Sequence, residues 1–155
     1  MEIGFDSGKL KVKMLIPIVI ITLVTSLLLF LVNAILYREF KHQALRSWTL
    51  SWGFYALRFL FDLGSLIYPW HGWNIFLQLA IITSGLLLIH GVYCYLRPSA
   101  NFPAGWSLFA GIVAAVVLLG YILPIPPLVI VASSFLFLGT SNLVMGWYFL
   151  TNSSL

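Results

Sequence analysis

The run LFAGIVAAVVLLGYIL, residues 108–123, has no charged side chain and no alternation of polar and apolar positions. A membrane β-strand alternates, so this run reads as a helix. Lipid offers no hydrogen bonds to a lone strand, whereas a helix pairs its backbone internally. With its flanks the run becomes Ala104–Leu123, long enough at about 1.5 Å per residue to cross roughly 30 Å of hydrocarbon. The same reasoning applied along the chain gives four more spans: Met14–Tyr37, Trp48–Tyr68, Trp73–Leu96 and Pro127–Leu150. The expected fold is all-α, a polytopic membrane helix bundle with five transmembrane helices. The bundle occupies residues 14–150, between an N-terminal tail 1–13 and a C-terminal tail 151–155.

Composition agrees. Of 155 residues, 61% are hydrophobic and 8% charged, against roughly 45–50% and about 25% in soluble domains. So few charges cannot clothe a water-facing globule, which excludes a soluble enzyme and makes the lipid bilayer the first partner. The net charge of +4 comes from Lys and Arg set beside apolar blocks rather than from a basic face, so nucleic acid is not an expected partner. One cysteine, Cys94, excludes an internal disulfide framework and a Cys-rich metal site.

The first span follows Lys9, Lys11 and Lys13 like a secretory signal, but Leu15–Val32 exceeds a signal core and reads as an uncleaved span. Its Thr22, Thr25 and Ser26 can bond to their own helix. The connections are short: Arg38–Ser47, PWHG, RPSANFP and PIPP. Arg38, Lys41, Arg46 and Arg97 fall on one side of the membrane, against Lys9, Lys11 and Lys13 on the other. The positive-inside rule then puts the amino terminus outside and the carboxyl terminus in the cytoplasm.

The second span holds the most informative residues. Arg58 and Asp62 lie well inside SWTLSWGFYALRFLFDLGSLIYPW (47–70), where each charge costs roughly 2.5–3.5 kcal/mol to insert. They stand four apart and can pair. The spacing extends to Ser51, Tyr55, Arg58, Asp62 and Ser65, a polar stripe expected to face the bundle interior. It reads either as a self-neutralising structural pair or as the lining of a site for a ligand, ion or proton. Gln78 matches Asp62 in depth, with Asn74 one turn away. Ser133 and Ser134 lie at comparable depth if the fifth span runs parallel to the third, so a cluster of these groups is within reach.

The third span has a second stripe, Thr83, Leu87, His90, Cys94 and Arg97. His90 and Cys94 alone fall short of a metal site, and a buried, satisfied histidine is the simpler reading. In the last two spans Gly111 with Ala115, Ala110 with Ala114, and Gly120 form small faces for helix packing. Gly139, Asn142 and Gly146 share one side of the fifth, where Asn142 can bond across an interface. No triad, phosphate loop, HExxH motif or carboxylate pair is present, so no catalytic role and no cofactor is expected.

The segments LYREFKHQALRSWTLSWGFYALRFLFDL (36–63) and SGLLLIHGVYCYLRP (84–98) resemble the multi-helix membrane input regions of bacterial sensor histidine kinases and diguanylate cyclases. There a span ends in tyrosine and basic residues, and a short cytoplasmic loop leads to a Trp-anchored helix with a buried arginine, here Trp48, Trp52 and Arg58. The next helix ends in a glycine-containing stretch and an Arg-Pro pair, here Gly85, Gly91, Arg97 and Pro98. The resemblance implies a module in the bacterial inner membrane that relays a membrane or periplasmic signal. Its partner would be a cytoplasmic output domain or protein, or a second copy in a homodimer. Such regions usually have more helices and continue into PAS, kinase or cyclase modules, so this chain is either part of a larger sensor or a stand-alone relative. The alternative is a small accessory subunit of a membrane transporter or redox complex.

Overall fold

A computed structural model describes residues 7–68, 70, 72–98, 101–123 and 126–152, with side chains from Leu15 to Thr151. It contains α1 (Ser7–Phe40), α2 (Gln43–Ile67), α3 (Gly72–Leu96), α4 (Ala104–Ile122) and α5 (Pro127–Asn152). Five helices are therefore present. Four are long and apolar enough to cross a bilayer: Leu15–Phe40 of α1, α3, α4 and Pro127–Thr151 of α5. They point to a multi-pass membrane protein. The fifth, α2, matches α3 at 25 residues but is less apolar, because Arg46, Ser47, Ser51, Arg58, Asp62 and Ser65 interrupt its Leu and Phe positions.

The helical boundaries correct the expected segments mainly around the first connection. Helix α1 already runs from Ser7, inside the expected tail, and the ten-residue loop Arg38–Ser47 shrinks to Lys41 and His42. The stretch is charged, but between Pro17 and Gly53 it contains neither proline nor glycine, so nothing stops a helix there. The break is made by Lys41, which takes a left-handed φ of 49° while its N–H donates to Tyr37 O at 2.8 Å. His42 then caps α2, its Nδ1 accepting from Ala44 N at 3.2 Å. Residues 1–6 and 153–155 of the expected tails lie outside the described residues, as do parts of the other three connections.

Helix α2 lies between α1 and α3. Helix α3 also packs against α4 and α5, which touch each other. Among the described residues α1 packs on α2 alone, and 6% of its span is buried against 56% for α3. Ile82 of α3, Ala110, Val113 and Val117 of α4, and Ile130 and Phe137 of α5 form the core. The outer surface is apolar: Ile21 is 66% and Leu143 78% exposed. Lipid tails are as apolar as these side chains, so cohesion rests on close packing and hydrogen bonds between helices.

Two glycines show that packing. A Cβ on Gly91 would overlap the Trp48 indole and stand 3.2 Å from the Ala44 carbonyl oxygen; on Gly85 it would lie 2.9 Å from Phe137 Cε1. At these points α2 and α5 press against α3. Tyr95 meets both Trp48, at 6.1 Å between ring centroids, and Phe149, at 6.2 Å. Helix α5 is thus parallel to α3 and α2 antiparallel to it. Arg38, Lys41, Arg46 and Arg97 lie at one end of the bundle, as their spacing implied. In α1, Thr22, Thr25 and Ser26 donate to the carbonyls of Ile18, Ile21 and Thr22, so these hydroxyls are satisfied within the helix.

Candidate functional site

The α2 stripe turns toward α3 and α5. Ser51, 1% exposed, donates to the Ser84 carbonyl at 2.8 Å, and its Oγ lies 3.0 Å from Ser84 Oγ. One turn on, Tyr55 stacks edge-on with Trp52 at 5.8 Å and with Phe59 at 5.4 Å. Arg58 comes next. Its guanidinium carbon sits 5.7 Å from the Tyr55 ring, 5.1 Å from Phe59 and 5.4 Å from Phe135 of α5. All three distances are within the roughly 6 Å over which a ring face attracts a cation.

The ion pair is loose by comparison. Arg58 Nε and Asp62 Oδ2 are 3.9 Å apart, with side chains 16% and 28% exposed. This separation is too long for a hydrogen bond, and Nε is buried without an acceptor. The charge is held by rings and by a distant carboxylate, a combination that leaves it room to shift. Ser65 closes the stripe locally, donating to Asp62 O at 2.7 Å.

A cavity of about 230 Å³ runs beside the stripe between α2, α3 and α5. Ser51, Trp52 and Tyr55 line one wall, Ser84 and Leu88 the floor, and Leu138, Asn142 and Met145 the other wall. Phe135 and Leu138 are one turn apart on α5, so the Arg58 cage borders the cavity. Asn142 joins the stripe here, but it does not bond across an interface: its Nδ2 donates to Leu138 O at 3.0 Å. No known family, characterised protein or solved structure matches this chain.

Two expected members lie elsewhere. Gln78 is buried, but it lines a smaller cavity of about 110 Å³ with Asn74, Tyr121, Pro127, Ile130 and Val131. Its Oε1 has no hydrogen-bond partner, and neither does Arg58 Nε, so the two do not meet. Ser133 and Ser134 both donate back to Ile130 O. The cluster of Arg58, Asp62, Gln78 and these serines is therefore not assembled. Gln78 faces Tyr121 of α4 and Pro127 and Ile130 of α5, whereas Arg58 faces Phe135.

His90 sits toward the basic end, its Nδ1 2.8 Å from Ser47 Oγ, with Cys94 Sγ 3.7 Å from both ring nitrogens. The half-buried histidine is satisfied by a hydroxyl from α2. Among the described residues no three His, Cys, Asp or Glu side chains gather as metal ligands.

The small faces divide. Ala110 packs into the core and Ala114 against it, but Gly111 and Ala115 are exposed. Gly139, Asn142 and Gly146 are also exposed, and a Cβ on either of those glycines or on Gly111 would meet nothing within 4 Å. The expected packing through that α5 side is thus not made among the described residues. Sequence reasoning also missed Ser47, Ser84 and Phe135. Ser47 was findable, being the α2 stripe extended four residues back. Phe135 carried no such signal.

Proposed function

We propose that the chain is a membrane-embedded input module in which α2 crosses the bilayer as a fifth span. Two short connections, residues 41–42 and 68–71, tie it to α1 and α3, each apolar enough to cross, and α2 runs antiparallel beside both. The Arg58 guanidinium is turned onto three rings, and Asp62 stands beside it, partly exposed. The test is labelling of single cysteines at Lys41 and Trp70 by a membrane-impermeant maleimide. Labelling from opposite sides supports the fifth span, and labelling from one side refutes it.

The observation that carries the signalling reading is the cavity between α2, α3 and α5, bordered by a guanidinium whose buried Nε has no hydrogen bond among the described residues. Occupation or collapse of that cavity changes the spacing of α2 and α5, and Arg58 with Phe135 links the two helices mechanically. Movement of α5 against α3 is then passed to a cytoplasmic partner at the basic end, near Trp147 and Phe149. The setting is a bacterial inner membrane, with the amino terminus outside. Spin labels at Trp52 and Met145, flanking the cavity, should report an α2–α5 distance that changes with membrane condition. Replacing Phe135 with alanine should uncouple it. A distance that stays fixed across lipid thickness, potential and pH would refute an input role.

The exposed faces at Gly111, Ala115, Gly139 and Gly146 favour the second reading, an accessory subunit whose open sides pack on other membrane helices. Native copurification separates the two. A stable stoichiometric complex with a transporter or electron carrier supports the subunit.

A further inference from the structure

A second cavity, of about 330 Å³, opens between α2, α3 and α4. Ligand sites occupy roughly 300–1,000 Å³, so it is large enough to hold part of an organic molecule. Helices α2 and α4 do not pack on each other among the described residues, which leaves a slot floored by α3. Its lining is graded. Arg46 and Gln43, in the first turn of α2, and Ser107, in the first turn of α4, stand at the basic end; Leu50, Leu86 and Leu87 line the part nearer the middle of the bundle.

The mouth is polar and cationic, and past Phe102 and the bonded pair of Ser47 and His90 the depth is apolar. This end of the bundle carries Arg38, Lys41, Arg46 and Arg97 against a single acid, Glu39, among the described residues. The amino-terminal ends of α2 and α4 also lie at this end, and their helix dipoles favour negative charge. Arg46 is exposed and its guanidinium faces no carboxylate within ion-pair distance among the described residues. A ligand matched to this gradient bears an anionic oxygen headgroup followed by a hydrocarbon chain.

We propose that the slot between α2 and α4 binds one anionic phosphoglycerolipid. Its phosphate sits against Arg46, Gln43 and Ser107, and an acyl segment lies along Leu50, Leu86 and Leu87. The site shares no residue with the Arg58 cage or the cavity beside it and does not depend on the input reading. Basic pockets between membrane helices recognise lipid headgroups, each Lys or Arg strengthening binding about five-fold.

The full chain, purified in a neutral detergent, is titrated with phosphatidylglycerol or with phosphatidylcholine of the same acyl chains, and bound lipids are counted by native mass spectrometry. One phosphatidylglycerol per chain should be retained in preference to phosphatidylcholine. Arg46→Gln should lower that retention about five-fold, whereas Arg97→Gln, which removes the same charge at the same end outside the slot, should not. Leu87→Trp, which fills the apolar half, should lower it without changing charge, and Arg46→Gln decides alone if that variant does not fold. Equal retention of the two lipids overturns the proposal, as does equal loss in the Arg46 and Arg97 variants. Displacement of the lipid by millimolar inorganic phosphate makes the mouth a simple anion site and overturns the lipid assignment.

Discussion

Replacing Asp62 with asparagine should destabilise the protein more than replacing Asp62 and Arg58 together with leucine. At the observed 3.9 Å, two unit charges attract by about 4 kcal/mol at an effective dielectric near 20. No hydrogen bond adds to this at Nε, and the partial exposure of both side chains softens it. The loss for Asp62→Asn should therefore fall near the low end of the range for breaking a buried pair from one side, about 3 kcal/mol. The guanidinium keeps its three rings, each worth about 0.5–1 kcal/mol, so it is weakened rather than stranded. The double leucine variant removes both desolvation costs and should come within about 1 kcal/mol of wild type. Reversible unfolding by SDS titration from mild detergent measures all of these differences, with Arg58→Leu as the fourth corner of the cycle. If Asp62→Asn matches wild type, the carboxylate contributes nothing at 3.9 Å and the aromatic cage alone holds Arg58. If the double variant is the least stable, the inward-facing charges are not a burden and the reasoning from desolvation fails.

Gly91→Val should cost about 1–3 kcal/mol, because its side chain must displace Trp48 while the Ala44 carbonyl cannot move; the same titration reads it, and a neutral result would mean that α2 and α3 are not in close contact. Ser47 and His90 should show a coupling of about 0.6 kcal/mol in a double-mutant cycle, whereas strict additivity would place their 2.8 Å contact outside the folded ensemble. Gly139→Leu should leave the isolated chain's stability within about 0.5 kcal/mol, since open space surrounds that position. A large loss there would refute the open face on α5.

Helix number and approximate position were legible because uninterrupted apolar runs permit little else in lipid. Register was also legible. Residues about equally far from the turn between α2 and α3 do pair: Ser51 with Ser84, Ser47 with His90, and Gly64 with Trp73. Rotation about the helix axes was not. Gln78 faces Tyr121 and Ile130 while Arg58 faces Phe135, because a single sequence gives height along a helix but not which neighbour each side meets. The cage at Arg58 needed Phe135 from α5, more than seventy residues away, and one phenylalanine among twelve carries no mark of that role. The charged stretch after Tyr37 misled for another reason. Its polarity suggests a loop, but only the unusual backbone of Lys41, not a proline or glycine, makes the break.

The two-residue link between α1 and α2 also bears on biogenesis. A segment carrying Arg58 and Asp62 pays about 2.5–3.5 kcal/mol for each when it partitions alone from the translocon. Tethered by Lys41 and His42 to the far more apolar α1, α2 is presented as the second arm of a helical hairpin, on the five-span reading. The surplus apolarity of α1 then offsets its partner's charges before α3 has been synthesised. In this view α1, which packs on α2 alone among the described residues, acts chiefly as an escort during insertion. Loss of α1 would then appear as a failure of α2 to integrate, while the core between α3, α4 and α5 still assembles.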